Sequence, residues 1–518
     1  MRQKIANILS HKSIFLILSL LLLFAGLVFY FYIISKGWKN EIDDIHGFRQ
    51  TQTAITAYYI AKDGFSFDYI TPVLGPDWKI PMEFPMYQSL VVWFHQATNI
   101  SLDISGRYVS VISYLLSCFF LFKILREFQK CLVFSSFVIF LMLINPIYLF
   151  WSRTFLLETT ALFFGMAFLY FSIKSIKNQK PLFIFLALFL GSLAALTKIT
   201  TFSVFINLVI LFFIILKIDY FKTTFISKKI SKELLVQCFQ FSLLLIIPII
   251  VGSIWVMHTD QIKNVGFQSH GLTSKSLSDW NYGTWELKLS IDTWLEIFKK
   301  SNLGVFKVIL FSLILVTKSK KLLLIVFFSW LFPMLVFTNL YFEHAYYAVA
   351  NQFLLVVLYV LLLEALVKRF FNKWMYFVCL VLTGFLIYNQ IIFFKTNYLE
   401  YQKANNVGVK SISHKIQKYI PANEVMIYYG DDWNSRFPYY TERKSMAWKF
   451  VKDTLPNFKK LEKLLNKQKI GGVFFFGPKP LPNSNAYKNL LYLDFNLKPK
   501  LVHDSDTNWC FLYIPKGR

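Results

Sequence analysis

The sequence predicts a mainly α protein: a polytopic transmembrane helix bundle of about eleven spans with a small C-terminal α/β domain outside the cytoplasm. Three observations predict it. Of 518 residues, 56% are hydrophobic and 16% charged, whereas soluble domains are about half apolar and about a quarter charged. The apolar residues gather into runs of roughly 18 to 23, the length a helix needs to cross a hydrocarbon core about 30 Å thick. Basic residues cluster at alternate ends of those runs, as cytoplasmic loops require.

The clusters are Arg2, Lys4 and Lys12; Lys123, Arg126 and Lys130; Lys174, Lys177 and Lys180; Lys217, Lys222, Lys228, Lys229 and Lys232; Lys318, Lys320 and Lys321; and Lys368, Arg369 and Lys373. Joining them predicts spans near 13–35, 106–125, 131–150, 155–173, 182–198, 201–216, 234–256, 303–317, 322–340, 349–367 and 374–394. An odd number of spans puts the N-terminus in the cytoplasm and the tail from Lys395 outside. The run from Ser13 to Ser35 is too long for a signal-peptide core and has no small-residue cleavage site, so it reads as an uncleaved first span. Met86 to Ala97 is apolar but short, follows Pro85 and carries His95 and Gln96, which suits an interfacial segment.

Two domains are expected: a membrane domain over 1–394, with a large first external loop over 36–105, and an external domain over 395–518. In the tail, Val407 to Tyr419 and Phe458 to Lys467 have helical spacing. Glu424 to Tyr429, Gly472 to Phe476 and Cys510 to Ile514 read as strands, the first two stopped by glycines. The net charge of +26 follows from basic cytoplasmic loops and does not imply a nucleic-acid partner. Five cysteines show no disulfide or metal spacing.

Charges are costly at bilayer depth, so their placement carries information. Ionisable groups collect at the predicted outer ends of spans: Asp43, Asp44, His46 and Arg49; Glu83; Arg107; Arg153 and Glu158; Lys198; and Glu343 with His344. Any one of them reads as a solvated anchor or a snorkelling side chain. Together they would meet in a shared cavity if the spans bundle. Carboxylates beside Arg and Lys suit deprotonation of a hydroxyl next to a bound phosphate.

The string from His46 through Gly47, Phe48, Arg49, Gln50, Thr51, Gln52 and Thr53 to Ala54, then Glu83 to Tyr87, then Gly106 and Arg107, resembles a branch of the GT-C glycosyltransferases. That branch is the one related to protein O-mannosyltransferases and to aminoarabinose transferases of lipid A. Asn145, Pro146, Ser152, Arg153 and Glu158 match its "P, then SR, then an acid" segment; Thr197 and Lys198 its "TK" span end; His344, Tyr346 and Tyr347 its late loop. The resemblance covers roughly residues 13–394.

It implies transfer of a sugar from a polyprenyl-phosphate-linked donor to a glycan, lipid or protein acceptor of the cell envelope, at a bacterial plasma membrane. A first-loop carboxylate is then the base, and basic groups hold the departing phosphate. The family's acidic pair falls on Arg49 and Gln50 here, so Asp44 is the favoured base, with Asp43, His46 and Glu83 as alternatives. Arg49, Arg153, Glu158, Lys198, His344, Tyr346 and Tyr347 are candidates for binding the lipid phosphate and sugar. A divalent metal could draw ligands from Asp43, Asp44, Glu83, His46 and His344, but no local spacing supports one and none is assigned. Gly430, Asp431 and Asp432 invite a sugar-nucleotide site, although acid pairs are common in turns. A transporter or flippase for lipid-linked glycans, or a polymer-assembly protein, is the competing reading. Spans nearly clean of charge, with no internal repeat, favour the enzyme.

Overall fold

A computed structural model describes residues 2–227, 232–266, 268–304, 312–370, 373–404, 408–430, 433–449, 465, 468–478, 497–504 and 508–516. The chain folds as two compact units: one of Met1–Trp38, Arg107–Trp255 and Ser278–Lys403, the other of Lys39–Gly106, Val256–Leu277 and Ala404–Arg518.

The helices, in chain order, are α1 (Arg2–Ile34), α2 (Gly47–Asp63), α3 (Met86–Thr98), α4 (Leu102–Glu127), α5 (Leu132–Leu143), α6 (Pro146–Trp151), α7 (Glu158–Asn178), α8 (Pro181–Thr197), α9 (Ile199–Ser227) and α10 (Lys232–Val265). Helices Lys320–Val336, Gln352–Phe370 and Lys373–Phe394 follow in the first unit. Among the described residues, six helices are long and apolar enough to cross a bilayer: Ser13–Ile34, Leu102–Glu127, Glu158–Asn178, Ile199–Ile218, Lys232–Val265 and the one that starts at Trp374. The chain is a multi-pass integral membrane protein.

The other expected spans differ for physical reasons. The run over 131–150 breaks between α5 and α6, because Pro146 has no N–H to continue the ladder and the Asn145 side chain caps α6 by accepting from the Ile147 N–H (3.0 Å). The runs over 182–198 and 322–340 form 17-residue helices. The run over 349–367 enters through a 3₁₀ turn, Ala345–Ala350. Residues 305–311, in the middle of the run over 303–317, lie outside the described residues.

Small residues bring the helices of the first unit together, as expected where lipid offers no hydrophobic drive for association. A Cβ on Gly165 of α7 would stand within the van der Waals radius of the Phe205 ring of α9, and one on Gly191 of α8 would meet Phe168. Phe205 stacks in turn on Phe353, with ring centroids 5.9 Å apart. Buried hydroxyls bridge the helices: Tyr114 donates to the Met142 carbonyl (2.7 Å), Ser113 pairs with Thr160 (2.9 Å) and Tyr30 with Ser152 (2.7 Å). In a medium without water, each of these removes a costly unpaired group.

The second unit contains a five-stranded sheet in the order β2-β1-β3-β5-β4: β1 (Val425–Gly430), β2 (Ser445–Lys449), β3 (Ile470–Pro478), β4 (Leu497–Asp504) and β5 (Asn508–Pro515). β1 lies parallel to β2 and β3, while β5 is antiparallel to β3 and β4. The unbroken apolar runs of β1 and β3 suit strands covered on both faces. Helix Gly408–Gln417 supplies Ile412 and Ile416 to a core with Met426, Tyr428, Phe474 and Leu512. The free edge of β2 is closed by the first loop. The Ser445 and Ala447 N–H groups donate to the carbonyls of Pro72 (2.9 Å) and Val73 (2.8 Å), which satisfies an edge that would otherwise be open to aggregation. Except for Leu465, the expected helix over Phe458 to Lys467 lies outside the described residues, as do Asp431 and Asp432.

Gly165→Ala is expected to destabilise the protein by about 1 to 3 kcal/mol, since the Phe205 ring is locked by its stack. Gly384→Ala, where a Cβ meets nothing within 4 Å, should be neutral or mildly stabilising. Thermal unfolding of the two variants in detergent tests the contrast, and equal midpoints would contradict the packing.

Candidate active site

The sequence-predicted residues fall into two sets, one in each unit. In the first unit, Glu158 opens α7 and Lys198 occupies the extended break between α8 and α9. Their Oε1 and Nζ atoms lie 2.5 Å apart, and the side chains are only 3% and 5% exposed. The Lys198 ammonium also sits over the rings of Tyr347 (4.0 Å to the centroid) and Tyr346 (5.1 Å). Tyr346 stacks on Tyr347 at 5.0 Å and on His344 at 5.1 Å. Glu158, Lys198, His344, Tyr346 and Tyr347 thus form one cluster: a buried cation held by a carboxylate and two aromatic faces. Trp151, edge-on to Tyr346 at 5.7 Å, and Trp280, 6.0 Å from His344, complete its wall. Neither tryptophan carries a motif that a single sequence reveals.

Arg153 and Arg107, both about 1% exposed, converge on the C-terminal end of α1. Arg153 Nη2 donates to the Gly37 carbonyl (2.8 Å), and Arg107 Nη1 donates to the Gly37 carbonyl (3.3 Å) and the Trp38 carbonyl. Backbone carbonyls in the turn after α1 have no helical partner, which makes them natural acceptors for guanidinium groups.

In the second unit, α2 begins at Gly47, after His46 in the left-handed region (φ 56°). Arg49, in the first turn of α2, forms an ion pair with Glu83 and donates to the Gln52 side chain. Glu83 is fixed from behind as well: Tyr69 donates to its carbonyl (2.7 Å) and accepts from the Met82 N–H (2.6 Å). Gln50 donates to the Asp44 carboxylate and to the Ile45 carbonyl (3.2 Å). Positions 49 and 50, where the GT-C branch carries acids, therefore hold a cation and an amide, and each engages an acid from elsewhere: Glu83 and Asp44.

Asp43 is 8% exposed and lies 2.7 Å from Arg436 Nε. Burial pushes its carboxyl up to about 6; Arg436 pulls the other way and Asp44 adds to the rise. Burial likewise raises Glu41 to about 7, against the Lys410 N–H that donates to it. Sequence reasoning missed Arg436 and Asp103, the latter accepting from Tyr439 (2.5 Å) and Tyr440 (3.2 Å). These partners lie hundreds of residues apart, and no local pattern marks them. Among the described residues, no group of three or more His, Cys, Asp or Glu is placed to hold a metal ion.

The first unit is a bundle of apolar helices with breaks at Pro146 and Lys198, and the second holds a small mixed sheet. Solved structures share this fold. ArnT of Cupriavidus metallidurans, solved with undecaprenyl phosphate, superimposes with a TM-score of 0.55 at 12% identity, covering 97% of this chain and 98% of that one. The archaeal oligosaccharyltransferase AglB of Archaeoglobus fulgidus, solved with an inhibitory peptide and a dolichol-phosphate, superimposes with a TM-score of 0.53 at 12% identity, covering 88% of this chain and 69% of that one. No protein-family profile matches the sequence, and no curated protein does.

Replacing Lys198 by Met should cost about 3 to 5 kcal/mol, because Glu158 is left as a buried charge without its closest cation. Adding Glu158→Gln should recover most of that loss. Thermal unfolding of the two single variants and the double variant measures the coupling; additive effects would show that the pair is not formed.

Proposed function

We propose that the chain is a membrane glycosyltransferase that moves a sugar from a polyprenyl-phosphate-linked donor to a glycan, lipid or protein acceptor of the cell envelope. In this reading the reaction runs on the non-cytoplasmic side of a bacterial plasma membrane, with the N-terminus cytoplasmic and the C-terminus external. Residues 1–394 carry the chemistry, and 395–518 form an external domain. The observation that carries the reading is the match in fold, over nearly the whole of both chains, to a protein solved with undecaprenyl phosphate.

The acceptor hydroxyl attacks the anomeric carbon, the bond from that carbon to the phosphate oxygen breaks, and polyprenyl phosphate leaves with the electron pair. Asp44 takes the hydroxyl proton as general base. The Gln50 N–H held on its carboxylate orients it, an arrangement of the kind that contributes about 10²- to 10⁴-fold in rate. Lys198 meets the negative charge that develops on the departing phosphate. Its ammonium is held in place at a span end by Glu158 and the two tyrosine rings, so it is preorganised before the lipid arrives. Arg153, Tyr346, Tyr347 and His344 line the same end of the helical unit, and Arg49 fixes Glu83 in the first loop.

Purified protein reconstituted with polyprenyl-phosphate sugars and envelope acceptors tests this. Wild type is expected to transfer sugar, and Asp44→Asn to lower kcat by about 10²- to 10⁴-fold with a smaller change in KM. Glu83→Gln and Arg49→Ala are expected to have smaller effects. Absence of transfer from every donor, together with flipping of a lipid-linked glycan, would overturn the proposal. Full activity of Asp44→Asn would remove Asp44 as the base.

A further inference from the structure

Three first-loop acids, Glu41, Asp43 and Asp103, are held by the C-terminal part of the chain. Helix Arg436–Thr441, with Ser435 before it, reaches the loop at several points. Arg436 Nε is 2.7 Å from Asp43 Oδ1. Ser435 Oγ donates to the Phe48 carbonyl (2.9 Å) in the first turn of α2, and Thr51 Oγ1 lies 3.4 Å from Ser435 Oγ. Tyr440 OH accepts from the Ile42 N–H (2.9 Å) and donates to Asp103. The attachments at Ile42, Asp43 and Phe48 bracket Asp44 on both sides.

The packing leaves little slack. A Cβ on Gly47 would stand 2.5 Å from Asp43 Oδ1 and 3.3 Å from Arg436 Nε, so the ion pair fills the space a side chain would take at the start of α2. Asp43 and Asp44 are consecutive, yet the structure gives them different partners: Arg436 for Asp43 and Gln50 for Asp44. Anchoring the buried member of the pair fixes the backbone that carries its neighbour.

We propose that Arg436 is a positioning residue: by holding Asp43, it sets the place of the Asp44 carboxylate. This rests on Asp44 acting as the base in the proposed transfer. A base displaced by about 1 Å can lose about 100-fold in rate, so the loop needs an anchor that a short turn cannot supply by itself. Arg suits the task because its planar fork stays charged and loses little freedom on pairing.

The test compares wild type with Arg436→Ala, Arg436→Gln and Arg436→Lys in the full-length reconstituted protein, by hydrogen–deuterium exchange and by transfer kinetics. In the Ala and Gln variants, amides over residues 42–50 should exchange faster while those of β1 and β3 keep wild-type protection. Their kcat should fall about 10- to 100-fold with KM for the lipid donor nearly unchanged, and Arg436→Lys should recover part of both effects. Unchanged exchange over 42–50 would overturn the positioning role, and so would faster exchange spread equally over β1 and β3. The exchange readout does not depend on turnover. A wild type without transfer activity would therefore sink the proposed function, while the exchange pattern still decides whether Arg436 anchors the loop.

Discussion

The cost of an unpaired charge away from water governs where this chain can put its chemistry. An ammonium or carboxylate taken out of water loses several kcal/mol of solvation even after the protein relaxes around it. The helical unit answers with pairing. Lys198 and Glu158, each 5% exposed or less, lie 2.5 Å apart, and two tyrosine rings face the ammonium. Arg107 and Arg153 spend their donors on carbonyls at the end of α1. The same constraint keeps the spans apolar and confines the charged groups to their ends. In the proposed transfer Lys198, already desolvated and held in place, has little to reorganise when a phosphate approaches.

The second unit solves a different problem, the rigidity of a long loop. Loops carry function but move easily, and the first loop is fastened to the rest of its unit at several points. It gains order by completing other structure. Its Pro72–Val73 carbonyls accept from the free edge of β2. Its turn at Gly75, in the left-handed region at φ 97° that a side chain would strain, packs on Met446. The start of α2 is fastened to Ser435 and Arg436. Loop and tail are therefore one folded object, and the acids on the loop inherit the stability of the sheet.

Much of the fold was legible because the bilayer imposes a simple code. Apolar runs of the right length, the polar step at Lys198 and the unbroken runs of β1 and β3 follow from local composition, whereas the break at Pro146 falls within a run that reads as one span. The gathering of Glu158, Lys198 and His344 was legible from charges placed at span ends, whereas Tyr346 and Tyr347 were singled out only by the resemblance. β2 and β4 escaped because Ser445–Lys449 is short and half polar, and Leu497–Asp504 contains a proline and three charges. The union of Arg49 with Glu83, and of Asp43 with Arg436, was hidden for a deeper reason. Either carboxylate could have chosen among many cations, and only the tertiary fold selects one.

The account stands or falls on Lys198 meeting a lipid phosphate, and an experimental structure of the protein in lipid with undecaprenyl phosphate bound tests that most directly. The account predicts the phosphate oxygens within about 3 Å of Lys198 Nζ, with the Tyr347 ring beside them. A phosphate resting instead beside Lys130 and Glu364, themselves 2.6 Å apart, would contradict it.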